Sequence, residues 1–308
     1  MGIETATNPK QPPGVAEGLF LLHDLQWRRK VYLGGLLLMI PFVGWFATLG
    51  YRKALISRLY AGDRPPLPEW RGEVWTHIWE GMKATFVIFS QYLPLYAILI
   101  RILIARGAEP GPIVIIAGVI FALFPIFSPL AFPLAVVYWW FPGGAELLHI
   151  GEAIGLIGGY TLVTFIIPTG FIQVSLRGRY SAAFRYHNSI PFMFRNFRSY
   201  VMAWYRSMAM SMCGHFAIPF SPWGVLWCYL GIIYSFNKVL ADDLASRGEL
   251  SAESWFVRLE GAEAITLTPI GKWTAKAGDG TKVAIVGPVY IPLPNIVAKR
   301  IFRASVEA

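Results

Sequence analysis

The chain has 308 residues, of which 55% are hydrophobic and only 15% charged, and its mean hydropathy is +0.49. Soluble domains run at about 25% charged and about 45–50% apolar, so the composition excludes a disordered chain, argues against an ordinary soluble enzyme and indicates a polytopic membrane protein. Of the net charge of +9, all but one unit resides in residues 1–237, because acids and bases nearly cancel from Lys238 onward; a basic excess flanking apolar segments suits membrane orientation and anionic headgroups better than nucleic acid.

Residues 1–18, with Pro9, Pro12 and Pro13, read as an irregular lead without a cleavable signal peptide. Residues 20–30 mix apolar and basic side chains and suit the interface. Residues 31–51 are long enough to span a bilayer of about 30 Å, but Pro41 and the surrounding glycines break the run. A kinked span and a re-entrant pair of half-helices both fit. A polar connector fills 52–80, closing on a stretch in which Val74, Ile78 and Met82 recur at helical spacing and Trp75 and Trp79 lie four apart. That pattern predicts an amphipathic surface helix over 70–82 with an aromatic belt. An apolar span follows at 84–103, interrupted by Pro94.

Residues 112–141 contain no charge but carry Pro125, Pro129 and Pro133; they fit either one tilted helix or a hairpin. Residues 154–176 form the next span. The segment 177–206 then holds Arg177, Arg179, Arg185, Arg195, Arg198 and Arg206 with no acid, interleaved with phenylalanine and tyrosine. Together with Trp75 and Trp79, Arg177, Arg179, Arg185, Arg195 and Arg198 are the candidate lipid and interface contacts. Spans at 201–220 and 223–236 complete the apolar set. The tail is a polar helix followed by short strands around Gly278-Asp279-Gly280.

The expected architecture is thus an all-α polytopic membrane protein of about five or six spans, several broken by Pro or Gly or re-entrant, with a small soluble C-terminal segment containing short β-strands. Its divisions are a lead at 1–30, a helical transmembrane domain at 31–245 and an extension at 246–308. The positive-inside rule puts 177–206 in the cytoplasm, 142–152 on the opposite side of the membrane, and the C-terminal tail in the cytoplasm.

At residues 34–70 the pattern Ile40-Pro41, Gly44, Gly50-Tyr51, Gly62 and Leu67-Pro68-Glu69-Trp70 resembles the opening of the DUF4013 family of prokaryotic membrane proteins, and residues 178–204 resemble the family's later basic helix. The resemblance covers about residues 30–245. It implies a membrane fold and, since the family's function is unknown, no chemistry and no site residues.

The sequence carries no Walker, nucleophile-elbow, zincin or dinucleotide fingerprint, so no enzyme is predicted. His149 and Glu152, three apart, read as a solvated cap rather than a metal pair. His149 and His215 are the candidate axial ligands for a haem or chlorin, but no attachment motif accompanies them and no cofactor is predicted. Cys213 and Cys228 read as small buried hydrophobes. Arg101 and Arg206 lie near span ends, where snorkelling accounts for them, and the spans read as free of buried ion pairs. These features favour a non-enzymatic structural or accessory subunit that packs against other membrane-protein subunits and against lipids, anionic headgroups included. The alternative is a permease or membrane-shaping protein handling lipid or a small solute.

Overall fold

A computed structural model describes residues 15–40, 43–105, 149–217, 222–261, 263–271, 273–286 and 289–292. The N-terminal lead, most of the proline-rich 112–141 segment's surroundings and that segment itself lie outside them.

The helices in chain order are α1 (Val15–Leu19), a 3-10 turn (Phe20–His23), α2 (Trp27–Leu38), α3 (Val43–Ala61), α4 (Val74–Ala105), α5 (Ile150–Arg177), a second 3-10 turn (Tyr180–Phe184), α6 (Tyr186–Arg195), α7 (Phe197–Ala217), α8 (Pro222–Ser246) and α9 (Trp255–Arg258). Four short strands follow: β1 (Leu267–Gly271), β2 (Thr274–Ala277), β3 (Lys282–Val286) and β4 (Val289–Pro292).

Three helical segments are long and apolar enough to cross a membrane among the described residues: Val74–Ile102, Ile150–Arg177 and Gly224–Ser246. The 31–51 run is not one of them. A proline within a helix lacks an N–H and clashes with the preceding turn, and the run is shared between α2, of 12 residues ending at Leu38, and α3, of 19 residues beginning at Val43. The two helices pack against each other. Gly44 permits this, because a Cβ there would collide with the Leu37 carbonyl.

Two expected boundaries move. The surface helix at 70–82 and the span at 84–103 are one 32-residue helix, α4. Nothing between Met82 and Thr85 breaks a helix, and Thr85 Oγ1 donates back to the Gly81 carbonyl at 2.9 Å. The last apolar run does not stop at Phe236 either. α8 continues through Lys238, Asp242 and Asp243 to Ser246, as ion pairs take up those charges.

The chain divides into two compact units, Met1–Glu80 with Pro191–Ala308 and Gly81–Ile190. In the first, α8 is the central helix, packed by α7, α2, α3 and α1. Its Trp227 indole N–H donates to the Gly18 carbonyl at 2.7 Å. The core also takes in the segment beyond α8: Trp255, Phe256 and Leu259 are buried against α3 residues such as Leu55 and Leu59, and Trp255 Nε1 donates to the Asp63 carbonyl at 2.6 Å. The strands form an antiparallel sheet in the order β1-β2-β3-β4, with β2 and β3 joined across Gly278-Asp279-Gly280. Thr281 closes that turn through its N–H and hydroxyl on the Asp279 carboxylate, at 2.9 and 2.7 Å. β4 packs on α1.

In the second unit, Tyr92 of α4 stacks on Tyr160 of α5 and Tyr96 meets that ring edge-on, and the Tyr92 hydroxyl meets Thr164 Oγ1 at 2.9 Å. Phe86, Leu93 and Ile98 on α4, and Ile154, Ile157 and Leu162 on α5, are exposed apolar side chains.

Candidate functional site

The Leu67-Pro68-Glu69-Trp70 turn meets Gly50 and Tyr51 of the sequence pattern in the first unit. Trp70 stacks on Tyr51, with ring centroids 4.2 Å apart and planes at 11°. His77 stands edge-on to both rings. Polar tips then tie the rings to backbone: Trp70 Nε1 donates to the Lys30 carbonyl at 2.8 Å, Tyr51 hydroxyl to the Pro68 carbonyl at 3.1 Å, and His77 Nε2 lies 3.1 Å from the Glu69 carbonyl. Buried aromatic bodies with satisfied polar tips make a rigid support. Gly50 completes it, since a Cβ there would strike the His77 carbonyl as α3 crosses the start of α4.

Lys30 is the buried charge of this support. Its side chain is 3% exposed and pairs with Asp24, 2% exposed, at 2.8 Å. An ammonium has three donors. Lys30 spends them on Asp24, on the Leu67 carbonyl at 2.9 Å and on the Glu69 carboxylate. The Asp24 carboxylate also accepts from the Gln26 N–H at 2.8 Å. A buried ion pair is tolerated on these terms, with each partner saturated.

An open cleft of about 300 Å³ lies beside this support, between α2 and the turn leading into α4. Leu33, Leu37 and Val74 form its apolar wall, and Arg29 and Arg71 stand on it as exposed cations. The pair Lys53–Glu80, on α3 and α4, braces the same region.

The candidates read from sequence fall elsewhere and do not converge. Trp75 and Trp79 are exposed on one face of the first turns of α4. Arg177 and Arg179 flank the end of α5, Arg185 follows the second 3-10 turn and Arg198 opens α7; all four are exposed. Arg195 is engaged within the protein: its guanidinium grips both oxygens of the buried Asp243 carboxylate at 3.0 Å, and Asn196 and Arg247 bind the same group at 3.0 Å. His149 sits at the exposed start of α5, where its backbone N–H donates to Glu152 Oε2 at 2.9 Å, so the pair caps a helix. The side chains of Cys213 and His215 lie outside the described ones. Among the described residues no three His, Cys, Asp or Glu side chains are grouped to hold a metal.

Two readings need correction. Arg206 does not snorkel: Nη1 holds the carboxylate of Glu17, 4% exposed, at 2.7 Å. Nor are the apolar helices free of buried ion pairs, as Asp243 and Glu17 both show. Glu17 lies 189 residues from its partner, too far for any periodicity to connect them.

The comparisons with known proteins bear on the fold pattern alone. No curated protein and no solved structure matches the chain. The family described as Protein of unknown function (DUF4013) matches residues 33–221, which takes in α3 to α7 with Tyr51, Trp70 and His77, but leaves out Asp24 and Lys30 and stops before α8 and the sheet. By that match the chain belongs to the DUF4013 family.

Proposed function

We propose that the chain is a non-enzymatic, membrane-embedded accessory subunit that packs against partner proteins in a larger membrane assembly. The observation that carries this reading is the β1 edge of the sheet, which pairs with no further strand among the described residues. β4 is packed on α1, whereas β1, the opposite edge strand, is exposed from Thr268 to Gly271 and carries Ile270 at 49% exposure, with Trp273 at 60% just beyond it. Apolar side chains on an uncovered edge strand invite pairing with another chain. The exposed apolar side chains of α4 and α5 supply the anchorage.

On this reading the protein is multi-pass in a prokaryotic cytoplasmic membrane. Additional crossings at 112–141 and 201–220 bring the total to about five or six. The arginines of 177–206, and with them the sheet, face the cytoplasm.

Mild-detergent extraction of the native membrane, followed by native electrophoresis and mass spectrometry, tests the proposal. The chain should migrate in a stoichiometric complex, and an Ile270→Glu, Trp273→Glu variant should leave that complex while keeping its own melting temperature. Migration alone, near its 34.4 kDa plus detergent and lipid, would overturn the subunit reading.

A further inference from the structure

We propose that the cleft beside Trp70 binds the phosphate headgroup of one anionic phospholipid, with an acyl chain leaving along α2. The proposal is independent of the subunit reading.

The first argument is charge. Glu69 is the one carboxylate of the cleft lining, and the buried Lys30 holds it. Lys30 itself has its donors filled. Arg29 and Arg71 remain, exposed and without an ion pair or side-chain hydrogen bond among the described residues. Two guanidinium forks converging on one cleft match a phosphate, which each can grip through paired N–H donors.

The second argument is polarity along the wall. Arg29, Leu33 and Leu37 recur every four residues and so form one stripe of α2. At 1.5 Å per residue the stripe runs about 12 Å from cation to aliphatic surface. Beyond Leu37 the exposed side chains of Met39, Ile40 and Val43 extend the apolar surface. That order, charge first and hydrocarbon after, is the order within a lipid and not within a free phosphate ester. Size agrees: about 300 Å³ is at the small end of ligand sites, enough for a headgroup whose chains lie outside. The cleft is also preformed, because the Tyr51–Trp70–His77 stack and Lys30 fix its floor.

The test uses the full-length protein in mild detergent, titrated with short-chain phosphatidylglycerol and read by native mass spectrometry. Phosphatidylglycerol should bind the wild type roughly tenfold or more tightly than phosphatidylcholine, and Arg29→Gln with Arg71→Gln should remove at least that preference, on the strength of charge-assisted contacts. Both arginines are exposed, so the double variant should melt as the wild type does. Arg64→Gln with Lys276→Gln, equally exposed but outside the cleft, should leave binding unchanged. Equal binding of the two lipids would overturn the proposal. So would an equal loss in the Arg64, Lys276 variant, which would make the attraction a property of the whole basic surface. Displacement of the lipid by glycerol 3-phosphate at comparable concentration would overturn the lipid assignment in favour of a soluble phosphate ester.

Discussion

Replacing Lys30 and replacing Glu69 break the same ion pair with different consequences. Lys30→Met strands the Asp24 carboxylate, 2% exposed, without its cation, at a cost of about 3–5 kcal/mol. Glu69 is 51% exposed, so Glu69→Gln should cost under about 1 kcal/mol. Thermal midpoints in detergent separate the two; equal losses would reject the buried Asp24–Lys30 pair. Glycines divide in the same way. Gly50→Ala drives a methyl into the His77 carbonyl and should destabilise by about 1–3 kcal/mol or more. Gly155→Ala on α5 meets no atom of the described residues within 4 Å and should be neutral or stabilise by up to about 1 kcal/mol. The sequence pattern marks Gly50 but cannot tell it from Gly155, since the difference is the backbone that crosses it.

His23 adds a pH dependence. Burial lowers its proton affinity below the usual histidine value of 6.5, Arg258 lowers it further, and Glu263 and Asp279 oppose. The unfolded chain therefore takes up the proton first as pH falls. Stability is complete above the usual histidine value and declines below it. Melting should come earlier at about pH 5.5 than at about pH 7.5, and His23→Gln should reduce that difference. An unchanged difference in the variant would assign the effect to other groups.

At the scale of elements, the segment after α8 is part of the core of the first unit. Trp255→Ala should cost about 3–5 kcal/mol, because its ring is 2% exposed and its indole N–H is bonded to Asp63. Val257, two residues on and 41% exposed, should tolerate alanine within about 0.5 kcal/mol. Comparable losses at both positions would contradict that packing. Local chemistry made several elements legible: the break at Pro41, the turn at Gly278-Asp279-Gly280 and the apolar runs of α4, α5 and α8. Element ends were less so. The change of composition at Met82 suggested two pieces where hydrogen bonding continues through one helix, and Lys238 suggested the end of a helix that ion pairs carry to Ser246. Composition reports what surrounds a residue, whereas the backbone hydrogen bonds decide whether the helix goes on.

For the whole molecule, α5 offers a direct test of membrane crossing. In a background without Cys213 and Cys228, single cysteines at Gly151 and Arg179 stand at opposite ends of a 28-residue helix, about 42 Å long at 1.5 Å per residue. An impermeant maleimide added to intact cells should label the first and not the second; labelling of both from one side would show that α5 does not cross. The sequence alone determined that this chain holds helices able to enter a bilayer, where its first apolar run breaks and that a small sheet follows, because each depends on hydrophobicity and backbone preferences within a short window. The tertiary structure decided which charges are partnered. Asp24 meets Lys30 across a turn, Arg195 meets Asp243 across 48 residues and Arg206 meets Glu17 across 189. Once those pairs form, Arg29 and Arg71 are the cations left facing the cleft. Pairing of charges depends on distance through space, and only the folded chain sets that distance.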